Sequence, residues 1–271
     1  MAQSFEDASA ITRAGDGTFA WSVPDGWQQG RGAFGGLVVG VMLRAMQADE
    51  PDAARAPRSL SAEICAPVLA GDARVRVEVL RRGKGVTYLE ARVLQGDGVA
   101  ARASAAFAAP RGALPEIEAL AARAERPIAI AARGFDDVPP VDLGSFGPRF
   151  AQHFEYRLTG PAPFSNSERA EVTCGVRARV PPPKLDAPAM AALLDAPWPT
   201  VFSVMSAPRP MATITFTMEL LVDPGSLRAD TVFAYAARLE SMRAGLFVEL
   251  RELWHEGRRV AMNQQTFAVL A

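Results

Sequence analysis

Residues 30–49 read Gly-Arg-Gly-Ala-Phe-Gly-Gly-Leu-Val-Val-Gly-Val-Met-Leu-Arg-Ala-Met-Gln-Ala-Asp. From Leu37 to Asp49 the stretch is apolar on nearly every side. A helix that is apolar all round is normally buried. Pro51 and the charged run 49–52 end it. Gly35 and Gly36, just before it, let a backbone approach another group closely. Upstream, residues 17–23 (GTFAWSV) alternate like a short strand, and Pro24-Asp25-Gly26 breaks it. Downstream, residues 58–68, 73–82, 86–95 and 99–108 are strand-like. The second of these, A-R-V-R-V-E-V-L-R-R, keeps Val75, Val77 and Val79 on one face. Gly83-Lys84-Gly85 and Gly96-Asp97-Gly98 are hairpin turns. The first 108 residues therefore read as strand, buried helix, then antiparallel meander. An antiparallel sheet with one face to cover would wrap that helix.

Residues 109–148 change character. Pro110, Pro127, Pro139, Pro140 and Pro148 punctuate an Ala- and Gly-rich stretch. A short helix is predicted over 114–123, with Pro115 suited to its first turn. The remainder repeats the first pattern. Residues 152–158 and 170–180 are strand-like, 188–194 form a short apolar helix, and strands follow at 212–222, 231–240, 246–254 and 259–270. Tyr88-Leu89-Glu90-Ala91-Arg92 matches Phe247-Val248-Glu249-Leu250-Arg251 in pattern. A duplicated α+β unit accounts for this. The expected organisation is a first unit over 1–108, a connection over 109–148 and a second unit over 149–271.

Composition narrows the function classes. With 29 basic and 30 acidic side chains, the formal net charge of -1 gives no basic excess for nucleic acid. No run of eighteen apolar residues exists, so a membrane span is not expected. Residues 1–16 lack the basic start and apolar run of a signal peptide, which points to a cytoplasmic protein. Cys65 and Cys174 read as two small buried thiols rather than a disulfide. His153, in a strand, and His255, in a turn, show no metal or catalytic spacing. No G-x-S-x-G elbow occurs.

Four short segments are similar to those of the bacterial acyl-CoA thioesterase II family, which has a tandem (double) hotdog fold. Phe34-Gly35-Gly36-Leu37-Val38-Val39-Gly40 resembles the F-G-G-x-V-x-G start of its central helix. Leu193-Leu194-Asp195 resembles the end of its second helix, although Leu194 stands where a small residue is usual. Met211-Ala212-Thr213-Ile214 resembles the strand with its catalytic Thr, and Val260-Ala261-Met262-Asn263-Gln264-Gln265 resembles its last strand. Thr215 and Phe216 replace an acidic residue and a His, and residues 223–229 lack a His-Arg-Pro run. No one segment is specific; their order and spacing across a duplicated fold carry the resemblance.

The resemblance implies Asp195, Thr213 and Gln265 as catalytic residues, and hydrolysis of acyl-CoA to a fatty or related acid and CoA. No metal, cofactor or covalent intermediate is expected. Acyl-CoA is the implied partner, and a homodimer or homotetramer would cover sheet edges or faces. Hydrolysis needs a water, a base for it and donors for the oxyanion. Asp195 suits the base, and Thr213 and Gln265 can hold the same water. Phe34, Gly35 and Gly36 are the candidate substrate-binding residues, the glycines as backbone donors.

Blander readings stand beside these. Asp195 before Ala-Pro can simply close a helix, and Thr213 can be a plain β-former. Gln265 shares a face with Phe267, so its amide sits among apolar neighbours and needs partners. Pairing Phe107 with Phe267 sets Ala105 opposite Gln265, which predicts one site per chain, in the second unit. Trp21, Trp27, Phe34 and Trp198 read first as packing residues. Arg228, Arg238 and Arg243 read first as a solvated face rather than CoA phosphate ligands. The rival functions are a hotdog enoyl-CoA hydratase or dehydratase and a non-catalytic acyl-CoA-binding module.

Overall fold

The computed structural model describes residues 3–112, 114–124, 135–141 and 147–270. Helix α1 (Phe5–Ala8) leads into the hairpin β1 (Ile11–Gly15) and β2 (Thr18–Val23). Two short strands, β3 (Gln28–Gln29) and β4 (Gly32–Ala33), pair with each other and deliver the chain to helix α2 (Gly35–Asp49). The meander β5 (Ala56–Ile64), β6 (Gly71–Arg82), β7 (Val86–Gln95) and β8 (Gly98–Ala108) follows. Helix α3 (Pro115–Ala124) and β9 (Pro140–Val141) come next. Then come β10 (Phe154–Leu158), β11 (Glu171–Ala178) and helix α4 (Ala187–Asp195). The last four strands are β12 (Met211–Leu220), β13 (Phe233–Arg243), β14 (Leu246–His255) and β15 (Arg258–Val269).

Thirteen strands form one antiparallel sheet, in the order β1-β2-β6-β7-β8-β5-β12-β15-β14-β13-β11-β10-β9. The halves join where β5 meets β12, with Ser61 opposite Thr217. Each half wraps a helix, which is the tandem hotdog arrangement of the α+β class. Val75 and Val77 of β6 face inward and are buried, while Arg74, Arg76 and Glu78 between them are exposed. Helix α2 is buried from Gly36 to Leu43 without interruption, and α4 along its whole length. The two helices lie antiparallel. A Cβ on Gly36 would stand 2.9 Å from Ala192 Cα, and one on Gly40 would stand 3.1 Å from the Pro188 carbonyl. Glycine at these positions is what lets the helices touch.

Register makes the duplication quantitative. In the first half Phe107 pairs with Thr87 and Ala105 with Leu89; in the second Phe267 pairs with Phe247 and Gln265 with Glu249. All four correspondences differ by 160 in residue number. The bulges recur as well, at Val93/Leu94 and Leu253/Trp254, and at Val79/Arg81 and Leu239/Ser241. Recurrent bulges mark a copied scaffold, since each re-aims the strand at one point.

Several expectations shift. The hairpin strand β1 has no sequence signal of its own, because four of its five residues are exposed. His153 ends a 3-10 turn (Arg149–His153) rather than lying in a strand. Its ring stacks on Trp27 at 3.9 Å between centroids, and its Nε2 lies 3.0 Å from the Gly26 carbonyl. Burial lowers its pKa from the ordinary value. Cys65 and Cys174 are both free thiols, but only Cys174 is buried; Cys65 follows the end of β5 and is exposed. Among the described residues, no helix is long and apolar enough to cross a membrane.

Candidate functional site

Asp195 is the last residue of α4, and Pro197 follows it two positions on. The antiparallel packing carries it to the start of α2. There the N-cap residue is Phe34, which offers no side-chain cap, so first-turn N–H groups need other partners. The Gly36 N–H donates to the Asp195 carboxylate. A Cβ on Gly35 would stand 2.9 Å from Asp195 Oδ2, so the carboxylate occupies the space that glycine leaves.

Thr213 and Gln265 arrive from the adjacent strands β12 and β15. Gln265 Nε2 donates to Asp195 Oδ1 at 2.8 Å and to Thr213 Oγ1 at 3.0 Å. The structure thus brings together the three residues named from sequence. Thr213 borders a bulge in the β12–β15 pairing, between Thr213 and Thr215. Gln264, next in line, is exposed on the other face. Gln265 is fully buried, and among the described residues its Oε1 has no hydrogen-bond partner.

Behind the trio lies a group that the sequence reading missed. Arg251 Nη1 stands 3.5 Å from Asp195 Oδ1, and its Nε donates to Glu249 Oε2 at 3.0 Å. Glu249 Oε1 accepts from the Thr200 N–H at 2.7 Å and from Thr200 Oγ1 at 2.9 Å. Arg251 is 1% exposed and Glu249 0%. The Phe267 ring lies under the guanidinium, 5.1 Å from Cζ to centroid. The repeat match drawn from sequence set Glu249 and Arg251 beside Glu90 and Arg92, one residue out of the true register. A one-residue slip turns every side chain to the other face. In the observed register, Leu89 and Ala91 are the counterparts. The signal that finds the pair is Phe247-x-Glu249-x-Arg251-x-Leu253, two charges on an otherwise apolar inward face.

Burial pushes the Asp195 carboxyl above the ordinary carboxylate range, against the opposing pull of Arg251, the Gln265 amide and the Gly36 N–H. Such a carboxylate is a better base than one in water.

A cavity of about 510 Å³ opens at this point. Its wall includes Arg31, Gly35, Val38 and Cys65 from the first half. Phe202, Met211, Thr213 and Phe267 come from the second. Asp195 and Gln265 stand one contact behind the wall, through Gly35 and Thr213. The walls are mainly apolar, as in small-molecule sites generally. Asp195, Thr213 and Gln265 all come from the second half, while α2 of the first half supplies the Gly36 N–H that faces Asp195 and part of the cavity wall. Of the expected substrate-binding residues, only Gly35 lines it. Phe34 is 0% exposed and stacks on Phe150 at 4.0 Å between centroids, and the Gly36 N–H is taken by Asp195. Arg228 and Arg238 form exposed ion pairs with Asp230 and Glu240, outside the cavity wall.

Comparison with known proteins agrees with the fold. The acyl-CoA thioesterase N-terminal domain profile matches residues 23–108, and the acyl-CoA thioesterase C-terminal domain profile matches 130–269. A hotdog-fold protein of unknown function from Alicyclobacillus acidocaldarius is 24% identical with a TM-score of 0.88, over 100% of this chain and 99% of its own. A putative thioesterase II from Thermobifida fusca is 21% identical with a TM-score of 0.78, over 98% and 97%. An acyl-CoA thioesterase II from Mycobacterium marinum is 17% identical with a TM-score of 0.75, over 98% of both chains. No curated protein matches the sequence significantly.

Proposed function

This chain belongs to the acyl-CoA thioesterase family, and on that premise we propose that it hydrolyses acyl-CoA thioesters by direct attack of water, in a site shared by its two halves. The observation that carries the reading is the Gln265 amide bridging Asp195 and Thr213 beside an apolar cavity. A water held between Asp195 and the Thr213 hydroxyl would face a thioester lying along the wall. Asp195 takes a proton from the water as its oxygen bonds to the thioester carbon. The C–S bond then breaks, and the proton passes to the departing CoA sulfur, leaving the free acid and CoA thiol. The developing oxyanion needs donors, and the Gly35 N–H in the first turn of α2 suits that role, helped by the helix dipole.

Asp195 must be ionised to act. The rate is therefore expected to fall as pH drops through its folded-state pKa, above the ordinary carboxylate value. The hydratase reading lacks its histidine, since His153 is stacked on Trp27 and His255 ends β14.

The test is thiol release from a panel of acyl-CoAs of graded chain length. Steady turnover of at least one member is expected. Thermal stabilisation by the same acyl-CoAs with no thiol released would replace hydrolysis with a binding role.

A further inference from the structure

A buried guanidinium has to be matched by anions and acceptors, and the way Arg251 is matched gives it a direction. Glu249 uses both oxygens, Oε2 on Arg251 Nε at 3.0 Å and Oε1 on the N–H and hydroxyl of Thr200 at 2.7 and 2.9 Å. That fixes one edge of the guanidinium. Nη1 then points at the end of α4. It lies 3.5 Å from Asp195 Oδ1 and makes long 3.4 Å bonds to the carbonyls of Leu194 and Pro197. These carbonyls flank Asp195, and a helix C-terminus favours a cation. The ring of Phe267 closes the remaining face of the guanidinium.

We infer that Arg251, clamped by Glu249 and Thr200, is a positioning residue that holds the end of α4 in place and keeps Asp195 ionised. The inference rests on the proposed hydrolytic role of Asp195. Arg251 does not itself line the cavity, although the Phe267 ring against its face does, so it meets no substrate directly and acts through the groups it holds. Other groups face Asp195 too: the Gly36 N–H from α2, Gln265 from β15, Glu249 from β14, and the hydroxyls of Tyr156 from β10 and Tyr235 from β13. Burial holds both tyrosines neutral far above physiological pH. Among the described residues Arg251 is therefore the single cation acting on Asp195, and Glu249 the anion that keeps it there.

The experiment is a carboxyl ¹³C titration of Asp195 in the full chain, its resonance identified by its loss in Asp195→Asn. In folded Arg251→Gln the Asp195 midpoint is expected to rise by about 1–3 pH units, the usual span for losing an adjacent cation. Arg251→Lys, which keeps the charge, should recover part of that shift. In the wild type the Arg251 Nε–H resonance should follow the Asp195 midpoint, and in Asp195→Asn it should lose that step. The acid limb of kcat/KM should move with the titration, whereas a merely structural role would lower the rate at every pH and leave the limb in place. An unmoved midpoint in folded Arg251→Gln overturns the inference. Should that variant not fold, a wild-type Arg251 resonance blind to Asp195 overturns it instead. A wild type that releases no thiol would remove the hydrolytic reading, while the titration would still decide whether Arg251 governs Asp195.

Discussion

The two ends of the α2–α4 pair are built on the same plan and finished differently. At one end, α2 begins at an uncapped Phe34 and two glycines, and its N–H groups meet Asp195 from α4. At the other, α4 begins at Asp186, whose Oδ1 accepts from the Ala189 N–H at 2.8 Å. Asp186 Oδ2 pairs with Arg44 at 3.2 Å, and Arg44 also holds Glu6 at 2.9 Å. Superposing the two N-cap residues brings Leu43 of α2 to the place of Asp195. Along the sheet, Pro57 replaces Thr213, Leu89 replaces Glu249, Ala91 replaces Arg251 and Ala105 replaces Gln265. Each of these five polar side chains has an apolar counterpart at the other end. The lesson is that a closed helix cap and an apolar strand face serve stability, while an open helix start with a carboxylate against it keeps unpaired donors available for chemistry. The uncapped start at Phe34 carries the cost that Asp186 spares α4, which is how functional sites depart from optimal packing.

The comparison can be broken or sharpened by substitution. Asp195→Asn leaves the shape of the site intact, so thiol release should drop by about 10²–10⁴-fold, the share general-base catalysis usually carries; an unchanged rate would dissolve the distinction between the two ends. Gln265→Ala copies Ala105 into the active end and should lower kcat by about 10²-fold, as removal of one positioned amide does elsewhere. The reciprocal Ala105→Gln forces an amide among Leu60 and Leu89 and should destabilise the fold by about 1–3 kcal/mol, measured by denaturant unfolding, with no gain in turnover. Asp186→Ala removes the closed cap and should cost about 1 kcal/mol of stability with kcat/KM nearly unchanged. The smallest effect is a pH dependence. Because the folded Asp195 carboxyl is held above its ordinary range, its contribution is fully present below the unfolded pKa and is lost as pH rises through the folded value. The unfolding free energy of wild type relative to Asp195→Asn should therefore decline from acid towards neutral pH. A rising difference would reverse the assignment of burial as the dominant influence.

Much of this was legible in the sequence. The all-round apolar helix, the period of two in β6 and the glycine turns placed most elements to within a few residues, β1 being an exception. The pairing of Phe107 with Phe267 already implied the contrast between Ala105 and Gln265. Asp195, Thr213 and Gln265 came from a family resemblance, because no local pattern makes a helix-ending Asp and a strand Thr converge. What stayed hidden depends on contact across the sequence. That Asp195 caps the Gly36 N–H follows from two helices lying antiparallel, which no spacing within either reveals. Glu249 and Arg251 were hidden by a one-residue ambiguity in aligning the repeats, since Glu90 and Arg92 offered a tempting but outward-shifted match. Cys65 looked strand-like and hence buried, but the strand stops at Ile64 and leaves its thiol exposed beside the cavity.

The junction at β5 and β12 has a genetic corollary. If the two lobes were separate copies of one polypeptide, a single codon would specify both sites, and losing an amide from one would lose it from both. Covalent fusion through residues 109–148 gives each lobe its own codons. Ala105 and Gln265 can then coexist in one molecule, and each lobe is free to change at such a position without changing the other.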